Sequence, residues 1–454
     1  MRHLSSVRRS VRTGLAAVAG GAMAFATLGA VGGTASAATG NSTPITYTVH
    51  PIAIQAASSL SSGGFVPSTC EKEVGLACYT PSIFHTAYQI PWTVNGEPAG
   101  TGTSVAIIDA YGSPTVAQDL ATYDQTFGLP AANLHVYYPG GKPTYNPRQH
   151  HSETGWAEET SLDVQTVHAL APGATINLVV AANNAGNVLN NAEQYAIDNH
   201  LGDVMSMSFG SPEAAIAGGG NNLQLQQAEA VYQQAAKDGI SVFASSGDAG
   251  ASAGYPTANA SFPASSPYVT STGGTDLFAS DSGAYQSEYT WNDSDPATCP
   301  FGCQYGVFGA TGGAPSSVFP APAYQSATGY ATRTTSDVAF NASVYTATMI
   351  YLGFLGGSNN GFYFFGGTSE ASPSWAAITA DLDQAAGRDL GQMNPILYSL
   401  PKADFHDITV GNNALDGPGF SAGTGYDLPT GLGTPIVSKL MGSLTGSAHP
   451  GHKG

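Results

Sequence analysis

The chain has 454 residues, 42% of them hydrophobic, so it can form one large domain or two ordinary ones and is not a globally disordered protein. Only 10% of the residues are charged, and 31 acidic against 13 basic residues give a formal net charge of −18. Such an acidic chain is a poor candidate for binding nucleic acids or anionic membranes, because both of these partners are negatively charged.

The first 37 residues have the pattern of a secretory signal peptide. An apolar stretch, 15–31, leads to the small-residue cleavage signal Ala35-Ser36-Ala37. The paired arginines also suggest twin-arginine export, but they lack supporting context, so ordinary secretion is favoured. No later apolar run is long enough to span a bilayer, and we predict a secreted, extracellular protein. Removing the four leader arginines takes the formal charge from −18 to −22; they are Arg2, Arg8, Arg9 and Arg12.

The four cysteines form two close pairs, Cys70/Cys78 and Cys299/Cys303. In an oxidising compartment, local pairing is the simplest of the three possible disulfide connectivities. A zinc site is the alternative, but the second pair has no further Cys/His pair at metal-binding spacing. We therefore predict two local disulfides.

After an irregular stretch from residue 39 to about 92, strand-like and helix-like patterns alternate. Apolar runs separated by short glycine turns are typical of parallel strands that are buried on both faces. This order predicts an α/β fold, a subtilisin-like parallel β-sheet with helices on both faces, elaborated by glycine-rich loops over residues 276–363. The predicted strands span 104–109, 174–181, 203–208, 240–244 and 268–272, and the predicted helices span 115–127, 188–199 and 223–237.

This pattern divides the chain into four parts. Residues 1–37 form the leader, and residues 38–92 form a short N-terminal segment. Residues 93–446 form one large domain, and residues 447–454 form a tail that is predicted to be disordered.

Ser369 stands in a glycine-flanked turn between an apolar strand-like run and a helix-forming segment, 374–386. Such a turn exposes the hydroxyl at a helix N-terminus, where unpaired amides and the helix dipole can stabilise an oxyanion. A serine that merely caps the helix fits the same local sequence. Ser369 is therefore a candidate nucleophile whose role depends on the other motifs. Its neighbour Glu370 favours the helix start but would oppose a nearby oxyanion.

Glu159 and Asp163 are spaced i and i+4, on one face of a predicted helix. Two carboxyls this close raise the pKa of one of them and tend to share a proton, which provides a base in mildly acidic solution. Glu158 is the rival for the first position, but its i+4 partner is Leu162. A solvated helix edge would produce the same pattern.

Two further aspartates follow predicted strands, where open parallel sheets carry their functional residues. Asp248 lies in the turn Ser245-Ser246-Gly247-Asp248 after the fourth strand, and Asp109 ends the first strand. Each has an ordinary explanation as well, as a turn aspartate or a polar strand terminus.

Together these motifs resemble those of the sedolisin family of serine-carboxyl peptidases (family S53), whose fold is a larger relative of subtilisin. The resemblance covers residues 90–439. Glu159 and Asp163 match the E-x-x-x-D helix of the family. Ser245–Asp248 matches the motif with the oxyanion-site aspartate, and Gly367–Ser369 matches the nucleophile turn.

The resemblance implies a mechanism. Ser369 would attack the scissile carbonyl, Glu159 would accept its proton, and Asp163 would hold and tune Glu159. Asp248 would donate a hydrogen bond to the oxyanion, and because a carboxyl donates only when it is neutral, activity is expected in acid. The end of the third predicted strand would pair with the polypeptide substrate as an added strand. Its residues are Ser208, Phe209 and Gly210.

The resemblance extends to a calcium site near the C-terminus. Asp407 and Asp427 offer carboxylate oxygens, and the loops around them offer backbone carbonyls. Hard oxygen ligands suit Ca²⁺ better than a transition metal. We predict one calcium ion, held by Asp407, Ile408, Gly423, Gly425 and Asp427.

Two alternative functions stay open. A subtilisin-type triad would use Asp109 and Ser369 with His151 or His168, although neither histidine has the expected His-Gly-Thr context. A catalytically silent secreted protein could instead bind peptides through the same cleft. Sedolisins usually carry a domain-sized prosegment that blocks the cleft, whereas only residues 38–92 separate the leader from the large domain here. Either activation is done differently, or this short segment is a reduced prosegment held by Cys70/Cys78. We predict a monomer.

Overall fold

A computed structural model describes residues 44–57, 60, 64–146 and 152–446. All of them belong to one unit, Ser42–Gly454. The predicted signal peptide and the predicted disordered tail lie outside the described residues. Both predicted disulfides, Cys70–Cys78 and Cys299–Cys303, are present. No helix in these ranges is apolar over a length that would cross a membrane.

Fourteen strands of three or more residues and nine α-helices occur in the described part of the chain. The strands are β1 Ile52–Gln55, β2 Ala77–Tyr79, β3 Ser104–Ala110, β4 Asn133–Tyr137, β5 Thr175–Ala181, β6 Val204–Met207, β7 Ser241–Ser245, β8 Thr270–Ala279, β9 Tyr285–Thr290, β10 Pro315–Pro320, β11 Thr332–Thr334, β12 Val338–Asn341, β13 Thr346–Leu352 and β14 Gly361–Gly366. The helices are α1 Pro67–Val74, α2 Pro81–Ala87, α3 Val116–Phe127, α4 Ser152–Leu170, α5 Gly186–Asp198, α6 Leu223–Lys237, α7 Thr368–Ala386, α8 Met393–Leu397 and α9 Val437–Gly446.

The main sheet has eight strands in the order β9-β8-β7-β6-β3-β5-β4, with β12 also paired to β8. Every pairing in it is parallel except that of β8 with β9. The carboxyl ends of β3, β6 and β7 therefore meet at one edge. That edge is where an open parallel sheet places its functional residues.

Both faces of this sheet are buried. Along β3, Val105 and Ile107 belong to one core cluster, whereas Ala106 and Ile108 belong to a second cluster on the opposite face. Helices α4 and α7 supply side chains to the first cluster, and α5 and α6 supply the second. Because successive strand residues point to opposite faces, a sheet covered on both sides needs continuous apolar runs, and this explains the strand pattern of the sequence.

A second, smaller sheet has the order β1-β14-β13-β2. Its edge strand β1 pairs antiparallel with β14, in a register that places Ile52 opposite Gly366. Strand β14 runs directly into the turn at Gly367 and then into α7. The N-terminal part of the chain therefore lies beside the strand that leads to Ser369.

The predicted α/β fold is confirmed, with two corrections. The stretch before residue 92 is not irregular, because it contains β1, α1, β2 and α2. Strand β8 does not end at 272 but continues through Gly273 and Gly274 to 279. These glycines do not break the strand; they allow close packing, since a Cβ on them would lie 2.6 Å from Ser336 Oγ and 2.7 Å from Ala342 Cβ respectively.

Candidate active site

Ser369 lies in the first turn of α7, which begins at Thr368. Gly367 joins this helix to β14 with a φ of +120°, a value that side-chain-bearing residues rarely adopt. A Cβ at Gly367 would also lie 2.9 Å from Asp248 Oδ2. The glycine-rich turn is therefore required both by backbone conformation and by the close approach of the aspartate.

The Ser369 hydroxyl contacts the end of β6. Its Oγ donates to the carbonyl oxygen of Ser208 at 3.4 Å. The Ser208 hydroxyl donates in turn to Asp163 Oδ1 at 2.8 Å, and it lies 3.1 Å from the carbonyl oxygen of Ser369. Ser208 thus links the candidate nucleophile to one of the two carboxyls predicted on α4.

Three carboxyls meet without solvent contact: Glu159 and Asp163 on α4, and Asp109 at the end of β3. Burial raises the pKa of Glu159 well above its usual value; the Ser369 hydroxyl lowers it, and the negative charge of Asp109 raises it further. Burial also raises the pKa of Asp163, with Asp109 and Glu159 adding to the effect. Like charges in a desolvated space cannot all ionise, so the three groups share protons.

Neither oxygen of Glu159 completes a hydrogen bond of normal length and angle with any described group, and the same holds for Asp109. The Ser369 hydroxyl is nevertheless close enough to lower the pKa of Glu159. A buried carboxyl without a fixed partner is free to take or release a proton. Burial raises the pKa of Asp109 to about 7.

Asp248 follows β7 and lies half-buried against the start of α7. Its Oδ1 accepts hydrogen bonds from the Thr368 amide at 2.8 Å and from the Thr368 hydroxyl at 2.7 Å. Burial raises the pKa of Asp248, whereas these two bonds and the nearby His50 lower it. Oδ2 is left to face the turn at Gly367, where it can carry the proton.

The described histidine that a subtilisin-type triad would use lies away from Ser369. His168 contacts the carbonyl oxygen of Pro130 at 2.9 Å and Asp124 Oδ1 at 3.3 Å, not Ser369. His151 lies outside the described residues. Glu370 is buried in the core, where its Oε2 accepts from Asn341 at 3.3 Å, and burial raises its pKa well above the usual value. A neutral Glu370 does not oppose an oxyanion, which removes the objection raised from the sequence.

A cleft of about 360 Å³ opens over Ser369 and Asp248, and Ser208, Phe209 and Gly210 form one of its walls. An N-terminal segment, residues 44–57, crosses it and is called the strap below. Thr48 and Gly210 exchange two backbone hydrogen bonds, of 3.1 and 3.3 Å, in an antiparallel bridge. The strap continues as β1, whose first residue, Ile52, also lines the cleft.

Comparison with known proteins agrees with this geometry. Residues 100–395 match the model of the subtilase family. Kumamolisin of Bacillus sp. (strain MN-32) is 34% identical over 387 residues, which cover 82% of this chain and 64% of that protein. Sedolisin of Pseudomonas sp. (strain 101) is 31% identical over 381 residues, covering 80% and 60%. The chain belongs to the sedolisin family of the subtilases.

This sedolisin-family chain spans less than two thirds of the length of those two relatives. A solved structure, Pseudomonas sedolisin complexed with two molecules of pseudo-iodotyrostatin, superimposes with a TM-score of 0.69 at 29% identity. The match covers 81% of this chain and 97% of that one. The resemblance predicted from the sequence and the predicted subtilisin-like fold are both confirmed.

The loops of the predicted calcium site come together in the sedolisin-family chain. Both oxygens of Asp407 accept from the Gly425 amide at 3.0 Å, and Asp427 Oδ2 accepts from the Gly423 amide at 2.9 Å. Burial is the main cause that raises the pKa of Asp427 to about 6, and the negative charge of Asp407 contributes a smaller part of this rise. The ammonium of Lys402 lies over the same loop, 3.0 Å from where a Gly425 Cβ would be.

Both oxygens of Asp407 and Oδ2 of Asp427 each accept one hydrogen bond from the loop and keep a lone pair that is available to a cation, whereas Asp427 Oδ1 accepts from both the amide and the hydroxyl of Thr430. The described residues contain no group of three or more His, Cys, Asp or Glu side chains suited to a metal. Binding would therefore depend on backbone carbonyls as well, as predicted for Ile408, Gly423 and Gly425.

Sequence reasoning missed two contacts of the active site. It did not find Thr368 as the partner of Asp248 or the Ser208 hydroxyl as the partner of Asp163. It treated Asp109 as a rim residue rather than a member of the carboxyl cluster. The odd-numbered residues of β3 face the side of the sheet that α4 covers. This alternation was the one signal that could have identified Asp109.

Proposed function

We propose that this chain is a secreted, acid-acting serine-carboxyl endopeptidase that hydrolyses polypeptides. The observation that carries the proposal is the meeting of Ser369 with two carboxyl systems: Glu159 and Asp163 on α4, and Asp248 after β7. These residues come from three separate parts of the chain. Ordinary helix capping would explain Ser369 but not their convergence.

In the proposed reaction, Ser369 Oγ forms a bond to the carbonyl carbon of the substrate while its proton passes to Glu159. The carbonyl oxygen becomes an oxyanion, which accepts a hydrogen bond from protonated Asp248. Glu159 then gives the proton to the leaving amine as the peptide bond breaks. A water molecule repeats these steps on the acyl-enzyme and releases the acid.

Asp163 is a positioning residue in this proposal. Its Oδ1 is held by the Ser208 hydroxyl, and its charge acts on Glu159 within the same buried cluster. Because the cluster shares protons, its first ionisation leaves one carboxyl charged, and this is the form that accepts the proton from Ser369. Backbone groups of Ser208, Phe209 and Gly210 would bind the substrate as an added strand.

The experiment that tests this function is digestion of a denatured protein between pH 3 and pH 8. We expect cleavage that is fastest below neutral pH and that Ser369→Ala lowers by at least about a thousandfold. Ser372→Ala is the matched control, since this serine lies one turn later on α7 and contacts Ser206 at 3.0 Å instead of the cleft. Full activity at pH 8 would instead favour a histidine triad. Peptide binding with neither turnover nor labelling by a serine-directed inhibitor would support a catalytically silent relative.

We also propose that residues 38–92 act as a short prosegment, through the strap. Thr48, Val49 and His50 line the same cleft as Ser369, and the backbone of Thr48 occupies the hydrogen-bonding groups of Gly210. A substrate strand would need those same groups. The strap and a substrate therefore compete for one place.

One calcium ion is proposed at Asp407 and Asp427, with carbonyls of Ile408, Gly423 and Gly425. When bound, the ion would neutralise the facing carboxylates and tie the two loops together. The remaining proposals concern context. The leader pattern and the two disulfides support secretion, and we propose a monomer, which size-exclusion chromatography with light scattering would check.

A further inference from the structure

A loop beside the active site exposes three large apolar side chains. Residues 299–309, called the cleft loop below, begin with the Cys299–Cys303 disulfide. Tyr305 is 49% exposed, Val307 54% and Phe308 37%. Three such residues within four positions, next to a cleft, indicate a surface that contacts another molecule.

The backbone at Phe308 is held firmly although its ring is partly exposed. The amides of Phe308 and Gly309 donate to Asp293 Oδ2 at 3.0 and 3.1 Å. The next amide, that of Ala310, donates to the carbonyl oxygen of Asp248 at 3.0 Å. Phe308 is thus tied to the segment that carries Asp248, and it lines the cleft that contains Ser369.

The strap shows how a peptide chain lies in this cleft. Thr48 pairs with Gly210 in an isolated antiparallel bridge, and Ile52 pairs with Gly366, three residues before Ser369. Between these two pairs, His50 is close enough to Asp248 to lower its pKa. If a substrate follows the same path, its scissile bond corresponds to the bond between His50 and Pro51. Ile52 then occupies the position of the second residue after a scissile bond.

Ile52 and Phe308 both line the cleft, and the packing around them indicates that they share one side of it. Directly opposed residues of antiparallel strands project to the same face, and Ile52 opposes Gly366. A Cβ on Gly366 would collide with the backbone of Val344. The next residue is Tyr345, whose ring lies 5.9 Å from the ring of Phe308. Ile52 and Phe308 accordingly line one cavity.

We propose that Phe308 determines specificity, by forming the apolar wall of the subsite for the second residue after the scissile bond. This inference rests on the proposed peptidase function. Aliphatic side chains such as that of Ile52 fit this subsite, because they bury against the aromatic ring. Acidic side chains are disfavoured, since an ionised carboxylate would lose hydration against an apolar ring.

The test compares two peptides that differ only at this position, with isoleucine or alanine, and locates the cleaved bond by mass spectrometry. In the full-length protein the strap competes equally with both peptides, so the ratio of their kcat/KM values is unaffected by it. We expect a ratio of about ten for the wild type, because three additional carbons are half-buried against the partly exposed Phe308 ring. Phe308→Ala should bring the ratio close to one.

Val307→Ala is the control, since Val307 is in the same loop, is more exposed and does not line the cleft. It should leave the ratio unchanged. A Phe308→Ala variant that lowers kcat/KM equally for both peptides, or that keeps the wild-type ratio, would overturn the proposal.

A binding measurement separates this proposal from the proposed catalysis. Calorimetry with the Ser369→Ala variant reports the affinities of the two peptides without turnover. A tenfold preference for isoleucine there, abolished by adding Phe308→Ala, would support the subsite even if the wild type cleaved no peptide. Equal affinities for the two peptides would contradict the subsite, whatever the enzyme cleaves.

Discussion

Thr368 holds Asp248 through two hydrogen bonds to the same carboxyl oxygen. The Thr368 amide and hydroxyl lie 2.8 and 2.7 Å from Oδ1. Both donors favour the ionised aspartate, whereas burial favours the neutral form, and the balance leaves the pKa of Asp248 above its usual value. The residue before the candidate nucleophile therefore lowers the pH at which Asp248 loses its proton, against the larger effect of burial.

The first prediction concerns this pair. Thr368→Val removes the hydroxyl donor and keeps the amide, so the pKa of Asp248 should rise further. Because Asp248 acts as a donor only when protonated, the alkaline limb of the kcat/KM profile should move to higher pH. Thr368→Ser keeps the hydroxyl and should retain the wild-type limb. A limb that stays in place in Thr368→Val would show that Asp248 does not control it.

The second prediction replaces the donor itself. Asp248→Asn keeps a hydrogen-bond donor at every pH, so the variant should lose the alkaline limb of the pH profile while its maximum rate falls, by about a hundredfold. The acid limb belongs to the cluster of Glu159 and Asp163 and should remain. Rates measured with one peptide from pH 3 to pH 8 provide the check. An unchanged alkaline limb would assign it to another group.

The third prediction concerns the strap. Thr48→Pro removes the amide that donates to Gly210 at 3.1 Å, so the strap should bind the cleft less tightly. The initial rate of peptide cleavage should rise several-fold at low substrate concentration, since about 1 kcal/mol of a competing contact is lost.

Thr48→Ser is the matched control for the strap, because it keeps both the backbone amide and the hydroxyl, which donates to the Gly210 carbonyl at 3.4 Å. It should leave the initial rate near the wild-type value. Equal rates for Thr48→Pro and the wild type would mean that the strap does not compete with substrate.

The fourth prediction is a pH dependence of stability. Burial raises the pKa of Glu193 to about 8, and only one of its oxygens has a partner, the Tyr232 hydroxyl at 3.1 Å. The folded state therefore binds a proton that the unfolded chain releases near pH 4, and the free energy of unfolding falls as pH rises from about 4 to 8. Melting temperatures should be higher at pH 4.5 than at pH 7.5.

Glu193→Gln should weaken this dependence, because its amide is neutral at every pH. The effect is on the order of a few kcal/mol between the two ends of the range. Glu73→Gln, on the exposed side of α1, is the control and should leave the slope unchanged. A melting temperature that is independent of pH in the wild type would contradict the prediction.

The fifth prediction concerns calcium. If Asp407 and Asp427 hold the ion, saturating calcium should stabilise the fold by about 3 kcal/mol at a hundred times the dissociation constant, and a chelator should remove this stabilisation. Melting curves with and without chelator measure it. Asp427→Asn should melt alike in both conditions, and Lys402→Ala should bind calcium more tightly because a competing positive charge is gone. A wild-type melting curve that does not change with chelator would show that Asp407 and Asp427 do not hold a stabilising calcium ion.

Much of the scaffold was predictable from the sequence, because it depends on local pattern. Buried parallel strands need continuous apolar runs, and helix α6 has the predicted bounds 223–237. The i, i+4 spacing of Glu159 and Asp163 required only that their segment be helical. Short-range geometry also determined the two disulfides, whose cysteines are eight and four residues apart.

Tertiary structure alone decided which of these residues act on one another. Thr368 and Asp248 are 120 residues apart in the sequence, and Ser208 and Asp163 are 45 residues apart. No local sequence pattern therefore predicts either pair. The shifted pKa values depend on burial, which arises only when both faces of the sheet are covered. The strap lies in the cleft because its backbone pairs with Gly210 at Thr48 and with Gly366 at Ile52. Only the folded arrangement brings these two glycines to either side of Ser369.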